Sequence, residues 1–399
     1  MQNTPINFSR QGRPRPFDPP DELKRMREER PISPMRFADG HWGWLATGHS
    51  AVRAILGDAR FSARQELDTR TFIPSASEFI SGMGISSPGM LPLLDPPEHT
   101  RYRRLLMAEF STRRMKRLET AIAAITHGRL DAMEASGPPA DLMAEFAAPI
   151  PYLMICELLG IPEEGREELR QAIDTLFALD TEPKKAESAL TVTLSFFPPL
   201  IERRRAEPTD DLFSGLVNGG QLTEGELATI GLLLFASSLH TTANTLSLGT
   251  FALLCHPEQM EALRRDPGLV DTAVEELLRY ATVGQFGPVR TALEDVEVEG
   301  TMIRKGQSVT VSLPTANRDP ARFEDPDTLD ITRPVGGHVT FGHGFHQCLG
   351  QHLARTELRQ AFPALLNRFP GLRLAVPPEQ VPTREDLYLN GVHQLPVAW

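Results

Sequence analysis

The sequence predicts a mainly α fold with a small β portion, carried by one large domain around a long central helix. Three observations predict it. From Pro96 to about Glu207 apolar residues recur at helical spacing. Between Glu226 and Glu258 there is no Asp, Glu, Lys or Arg, and the stretch reads as one long helix crossing a core. Sustained apolar–polar alternation, the mark of half-buried strands, sets in only after Phe286.

Taken in order, residues 1–20 read as an extended lead and residues 21–399 as the domain. "DELKRMREER" has the composition of a short surface helix. "GWLATGHSAVRAILGD" reads as a strand turning into a helix, with Val52, Ile55 and Leu56 on its apolar face. Residues 65–94 are loop-like yet rich in apolar side chains. The helical region has breaks near Ser111, Ser136–Pro139, Gly160–Pro162 and Thr181–Pro183. "LTEGEL" has the form of a capping box, with Thr223 three residues before Glu226, and opens the long helix. A further helix is expected over about Leu269–Tyr280. "VRTALEDVEVEGTMIRKGQSVTVSL" reads as strands turning at Glu299-Gly300 and Lys305-Gly306. "QHLARTELRQAFPALLNRF" is a late helix, with two short β pieces after it. No internal repeat, low-complexity tract or clear linker interrupts the chain.

Composition narrows the function. A formal net charge of −11 argues against a nucleic-acid binder. The first thirty residues contain no apolar run that could serve as a signal peptide. Cys156, Cys255 and Cys348 are too few and too scattered for a disulfide framework, which fits a reducing cytoplasm. The uncharged stretch is long enough to span a bilayer. Its centre, Ser237 to Asn244, is polar, so a soluble core helix lining a cavity is expected, without membrane association.

"FGHGFHQCLG", Phe341 to Gly350, surrounds its cysteine with bare backbone. The glycines suggest a turn pressed close to something. The residues after Cys348 begin a helix, whose free N–H groups and dipole favour a thiolate. No second cysteine is near, so a zinc or iron–sulfur site is disfavoured. A haem iron needs only one protein ligand and suits the pattern better. A buried structural cysteine is the plainer alternative.

The same decapeptide resembles the haem-binding signature of the cytochrome P-450 family of haem-thiolate monooxygenases, Phe-Gly-x-Gly-x-His-x-Cys-x-Gly, at every fixed position. "EELLRY" resembles the family's Glu-x-x-Arg helix, with Glu276 and Arg279; an i, i+3 pair alone is more often a solvated surface pair. "ANRDPARFEDPDTLDITR" is similar to the segment before the haem loop and supplies Arg333 as the third member of that network. "LLDPPEHTRYRRLL" resembles the start of a haem-facing helix. The matches run in the expected order from about residue 42 to 396 and imply the bacterial, ferredoxin-served subgroup.

The resemblance implies the family's fold, a long central helix over a buried haem b. Cys348 is the implied axial ligand, whose thiolate pushes electron density onto iron and favours O–O cleavage. Gly342, Gly344 and Gly350 let backbone approach sulfur and ring, Phe341 packs beside the sulfur, and Ala354 lies on the cofactor side of the next helix. His99, Arg103, Arg290 and His346 fall at propionate-binding positions; each alone could be a surface base.

On the long helix the family pattern is small-Gly-x-acid-Thr. Here it reads Ser237-Ser238-Leu239-His240-Thr241, so Thr241 matches the proton-delivering alcohol while His240 replaces the acid and Ser238 the glycine. A histidine can relay protons near neutral pH. His240 can equally contact substrate, bond to helix backbone or, less naturally, reach iron. For Ser237, Ser238 and Thr242 the plainer role is back-bonding to carbonyls four residues earlier.

The resemblance implies a substrate pocket drawing on Phe72, Phe79, Ile80, Met83 and Met90 of the apolar loop. The long helix would add Leu232, Phe235 and Ala236. Val283, Gly284, Gln285 and Phe286 would come from the following segment, and Leu389 and Asn390 from a late turn. Such a lining suits a small hydrophobic or mid-sized natural product. Arg101, Arg103, Arg104, Arg113, Arg114, Lys116 and Arg117, with Arg355 and Arg359, form a positive island in an acidic protein. Near a thiolate it suits an acidic donor such as a ferredoxin, reduced by ferredoxin reductase; most charge runs are only solvated faces. A cytoplasmic monomer is expected. The alternatives are a peroxide-driven peroxygenase and a non-enzymatic haem or ligand-binding protein.

Overall fold

A computed structural model describes residues 17–37, 40–64, 88–110, 112–178, 181–284, 287–334, 336–384 and 389–399. The chain opens with α1 (Asp21–Glu29), β1 (Ile32–Arg36), β2 (Trp42–Ala46), α2 (His49–Gly57) and β3 (Phe61–Ser62). Helices then dominate: α3 (Glu98–Glu109), α4 (Thr112–Ser136), α5 (Pro149–Leu159), α6 (Arg166–Phe177), α7 (Pro183–Ala206), α8 (Leu212–Asn218) and α9 (Glu224–Cys255), with β4 (Ala140–Asp141) between α4 and α5. There follow α10 (Pro257–Arg265), α11 (Val270–Tyr280), β5 (Arg290–Ala292), β6 (Val296–Val298), β7 (Thr301–Ile303), β8 (Ser308–Val311), α12 (Leu313–Ala316), α13 (Gln351–Arg368), β9 (Arg373–Leu374) and β10 (Pro396–Ala398).

The expected helices are present, as are their breaks among the described residues; Ser111 lies outside these. Gly160 ends α5 in the left-handed conformation, φ 60°, and donates its N–H to the last turn's carbonyls. Thr223 and Glu226 close a full capping box at the start of α9. Glu299 and Gly300, φ 47° and 74°, make the tight turn of the β6–β7 hairpin.

Strand structure begins well before residue 286, in β1 and β3 as well as in β2, the strand expected ahead of α2. The main sheet has the order β1–β2–β8–β5–β3, so three N-terminal strands flank the two late ones. β2 runs parallel to β8, pairing Trp44 with Val309 and Ala46 with Val311. β1 escapes the alternation test because Pro34 interrupts it. An edge strand tolerates a proline that a central strand would not.

At 1.5 Å per residue, α9 is about 48 Å long. It runs through two separate cores. Leu227 to Leu239 pack with α5, α7 and α8, while Ala243 to Leu253 pack with α11 and α13. The polar segment from Ser237 to Thr242 sits at the junction between them. No helix among the described residues is long and apolar enough to cross a membrane. At the other end of the chain, Phe17 is buried against Phe251 and Tyr280, and Asp18 reaches buried Arg318 at 3.3 Å, so the end of the expected lead is packed into the core.

Candidate active site around Cys348

The loop that bears Cys348 is closed by its own backbone. The Cys348 N–H donates to the Phe341 carbonyl at 2.9 Å and the Gln347 N–H to the Gly344 carbonyl at 3.0 Å. Gly342 and Gly344 have φ 73° and 75°. A Cβ on Gly344 would stand 2.5 Å from the Leu56 carbonyl oxygen, so this glycine seats the loop on the end of α2. Gly350 is different. Its φ is −83°, and a Cβ there would meet no protein atom within 4 Å.

Cys348 is exposed as a residue, but its thiol is closely surrounded by protein. Burial pushes the Cys348 thiol up, while the N–H groups of Gly350 and Gln351 and the cations Arg103 and Arg355 act the other way. Arg103 donates to the Gln347 carbonyl at 2.8 Å and thereby ties α3 to the loop.

Beside it four bases converge. His99 from α3 and Arg290 from β5 are both buried. The His99 and His346 rings are 4.2 Å apart. Burial, then Arg290, His99 and Arg103, lower His346 to about 3; burial lowers Arg290 to about 10, with Asp95 opposing. The Asp95 carboxylate is itself engaged by Ser62 and the Ala63 N–H. Both ring nitrogens of His99 and Nε2 of His346 are buried without a hydrogen-bond partner among the described residues. Buried polar atoms of this kind call for an anion. The two propionates of haem fit these orphaned donors, a flat macrocycle fits the bare face at Gly350, and a single soft thiolate fits its iron.

The loop rests on a rigid scaffold. Glu276 and Arg279 are fully buried and joined at 2.7 and 2.8 Å, and Arg333 reaches Glu276 at 3.4 Å. Arg279 also donates to the carbonyls of Asn317, Pro326 and Thr328. The solvated-pair reading is therefore excluded. Sequence reasoning missed the neighbour, Glu275, which takes His338 at 3.0 Å and Arg355 at 2.5 Å. Burial raises Glu275, but those two partners outweigh it and hold the carboxyl at about 2. Arg355 in turn lies over the Phe341 ring, 4.5 Å from its centroid. The doubled acid of "EELLRY" was the available signal.

On α9 the hydroxyls of Ser237, Ser238, Thr241 and Thr245 bond to carbonyls four residues back. Thr242 departs from the expected back-bonding: it donates to Glu357 of α13, a buried carboxyl whose surroundings push it up to about 8. Ser237 and Thr241 are exposed one turn apart, with Leu233, Ala236, Ser238 and His240 half-buried around them. His240 points instead at α6, its Nε2 3.3 Å from Asp174 Oδ1. Nothing near Asp174 in the sequence announced that contact.

Two expected pocket residues are placed elsewhere. Leu232 and Phe235 pack into the core shared with α5 and α7, because they lie on the buried stripe of α9 with Leu239 and Thr242. Ala236, also expected in the pocket, is half-buried beside Leu233 and the exposed Ser237. Met90, Val283 and Asn390 are buried, and Asn390 donates to the Thr282 carbonyl. Gly284 and Leu389 form a β-bridge, so those two segments do meet. Phe72, Phe79, Ile80, Met83, Gln285 and Phe286 lie outside the described residues.

Much of the positive island is already paired. Arg101 meets Glu226, Arg114 meets Glu109, Arg117 meets Asp210, and Arg359 meets Asp271. With Arg103 and Arg355 turned to the Cys348 loop, Arg104 and Lys116 remain as exposed cations among the described side chains, which do not include Arg113.

Comparison with known proteins agrees with this arrangement. The family model Cytochrome P450 matches residues 268–394. Cytochrome P450 105C1 from Streptomyces sp is 45% identical over the whole of both chains. Pentalenic acid synthase from Streptomyces avermitilis is 40% identical over 100% of this chain and 98% of the relative. Vitamin D3 dihydroxylase from Streptomyces griseolus is 40% identical, covering 96% and 95%. The crystal structure of CYP105P1 in complex with filipin I superposes with a TM-score of 0.90 at 40% identity, covering 99% of this chain and 98% of that one. Full-length identity at this level, joined to the Cys348 loop and its cationic cluster, establishes that the chain belongs to the cytochrome P450 family of oxidoreductases, which bind haem b through a cysteine thiolate.

Proposed function

We propose that this chain is a monooxygenase that inserts one atom of dioxygen into a hydrophobic or mid-sized natural product, with electrons passed from NAD(P)H through ferredoxin reductase and a ferredoxin. The carrying observation is Cys348 beside four converging bases, two of them histidines with orphaned buried nitrogens. It is proposed to work as a cytoplasmic monomer.

In this reading Cys348 holds the iron, and the N–H groups of Gly350 and Gln351 stabilise its thiolate. His99, Arg103, Arg290 and His346 pair with the propionates. Phe341, pinned by Arg355, keeps water from the sulfur. When bound, haem supplies the activation of dioxygen, with the thiolate donating electron density toward O–O cleavage. Thr241 presents a hydroxyl on the pocket side of α9, held in one rotamer by its bond to the Ser237 carbonyl at 2.9 Å. Leu233, Ala236 and Ser237 present a small and largely apolar surface beside it. The names of the relatives, which cite pentalenic acid, vitamin D3 and filipin I, support a substrate of the proposed kind. Arg104 and Lys116 offer an acidic donor its first contacts.

The test is the spectrum of the dithionite-reduced protein with carbon monoxide, beside Cys348→Ala. A strongly red-shifted Soret band is expected in the native protein and not in the variant. Turnover is then compared with NADPH, ferredoxin and reductase against hydrogen peroxide alone. Product only with peroxide would replace the ferredoxin reading with a peroxygenase, and a band typical of nitrogen ligation would sink the role of Cys348.

A further inference from the structure

In the reading above, one electron passes from ferredoxin to the iron, which goes from Fe3+ to Fe2+ as the donor is oxidised. No bond is made or broken, and the iron, its macrocycle and the sulfur together gain one unit of negative charge. Fixed charges near the sulfur therefore decide how readily that electron is accepted. We propose that Arg355 and Glu275 are a positioning pair that sets this reduction potential: Arg355 brings positive charge to the sulfur side, and Glu275 holds it there and offsets part of it. The inference rests on the reading of Cys348 as the haem ligand, and it gives Arg355 a task other than meeting the donor.

The pair is built from both sides. Nε and Nη2 of Arg355, on α13, meet Oε1 and Oε2 of Glu275, on α11, at 2.5 and 3.0 Å. This two-pronged bond is the strong geometry for a guanidinium and a carboxylate. Nη1 donates to the Gln351 side-chain oxygen at 3.0 Å and to its carbonyl at 3.3 Å, so all three guanidinium nitrogens are engaged within the protein. The guanidinium covers the Phe341 ring at 4.5 Å, and the Phe341 carbonyl takes the Cys348 N–H at 2.9 Å. Glu275 is equally committed. His338 Nε2 stands 3.0 Å from its Oε2. Nδ1 of the same ring accepts the Thr340 N–H at 3.3 Å, so Nε2 carries the proton and donates it to the carboxylate. The Thr340 hydroxyl bonds to the Leu278 carbonyl at 2.8 Å, which ties the approach to Phe341 to α11 a second time.

The side chains of Arg355 and Glu275 are only 17% and 20% exposed, so water screens their charges weakly. Burial opposes ionisation of Glu275, but His338 and Arg355 hold its carboxyl at about 2, and it is charged at neutral pH. Arg103 and Arg355 both favour the Cys348 thiolate. Of the two, Arg355 is the one backed by an acid, in the order sulfur, Phe341, Arg355, Glu275. A docking cation offers its nitrogens outward, as the exposed Arg104 and Lys116 do, whereas Arg355 has turned all of its own inward.

The test is an equilibrium redox titration of the haem-loaded protein with mediators, after each variant has shown the red-shifted carbon monoxide band. The native protein is compared with Arg355→Gln, Arg355→Lys, Glu275→Gln and the variant carrying both glutamines. At a fixed solution potential Arg355→Gln is expected to lower the ferrous-to-ferric ratio about tenfold, or about 59 mV for a one-electron couple. Glu275→Gln, in which Gln351 and Phe341 still hold Arg355, is expected to raise the ratio about threefold. The double variant falls between the two, and Arg355→Lys, which keeps the charge, stays near the native value. Shifts of the same sign in the two single variants, which a merely structural role would give, overturn the proposal. So do unchanged potentials in both, or a fall in Arg355→Lys as deep as in Arg355→Gln. A native potential in Arg355→Gln joined to slow reduction by ferredoxin makes Arg355 a docking residue and also overturns it. If Arg355→Gln does not load haem, Glu275→Gln decides alone: a rise supports the pair, and a fall or no change ends it. The titration needs neither ferredoxin nor product, so it decides the pair even where no substrate is oxidised. A native carbon monoxide band typical of nitrogen ligation sinks the role of Cys348 instead, and the inference with it.

Discussion

Glu276 and Arg279 stand one turn apart on α11 with neither side chain exposed, and their carboxylate and guanidinium meet through two bonds of 2.7 and 2.8 Å. The pair sits between α11 and the segment 317–333, which leads into the Cys348 loop. Arg279 alone satisfies three backbone carbonyls of that segment. Removing one partner leaves the other charge buried and uncompensated, which typically costs about 3–5 kcal/mol. Arg279→Leu is therefore expected to lower the melting temperature by roughly 4–6 °C and to yield mostly cofactor-free protein. Calorimetry and the haem-to-protein ratio check both.

The cationic cluster makes a separate prediction. Arg290→Leu removes a buried guanidinium with no fixed acidic salt partner among the described residues. The apoprotein should be little destabilised, or even stabilised, because burying that charge is costly. Haem affinity should instead fall about tenfold to a hundredfold, the cost of leaving a propionate unpaired. Haem transfer to apomyoglobin measures it, and equal retention in both proteins would remove Arg290 from the cofactor site.

Gly344→Ala tests the seat of the loop. The new methyl group would fall 2.5 Å from the Leu56 carbonyl oxygen at a φ of 75°. Both the clash and the left-handed backbone oppose it, for a loss on the order of 2 kcal/mol. Gly350→Ala meets no protein atom and has an ordinary φ, so the apoprotein should tolerate it while the haem-loaded form should not. Comparing the two variants with and without cofactor separates a protein contact from a cofactor contact.

Glu357 sets a pH dependence. Its folded value of about 8 lies well above the ordinary carboxylate value. A group raised on folding contributes stability that is full below its unfolded value and is lost as pH rises through its folded one. Glu357→Gln, which can still accept from Thr242, should match the native melting temperature near pH 5 and exceed it increasingly toward pH 9. A constant difference across that range would mean that Glu357 is ionised in the native protein.

The electron donor's docking face can be tested by charge reversal. Arg104→Glu with Lys116→Glu should slow ferredoxin-supported reduction about tenfold at low salt, with the difference shrinking as ionic strength rises. Peroxide-supported turnover, if present, should be unaffected. Stopped-flow reduction at two salt concentrations is sufficient.

What could be read from the residues alone was local. The helix breaks at Gly160, the capping box at Thr223 and the turn at Glu299-Gly300 are decided by backbone preferences within a few residues, and they stand where expected. The Cys348 loop was legible for the same reason: its glycines and cysteine carry their chemistry in ten consecutive positions. What the tertiary structure decided was everything that depends on a partner distant in the chain. Parallel pairing of β2 with β8 joins residues 44 and 309, and no alternation pattern encodes that register. Which stripe of α9 is buried depends on where α5 and α7 lie, and their packing puts Leu232 and Phe235 in the core. The positive island lost much of its charge to acids such as Glu226 and Asp210, more than ninety positions away. His240 stood out in the sequence only as a departure. Only the folded chain brings its ring to 3.3 Å from Asp174 on another helix, because distance and burial are not properties of a single residue.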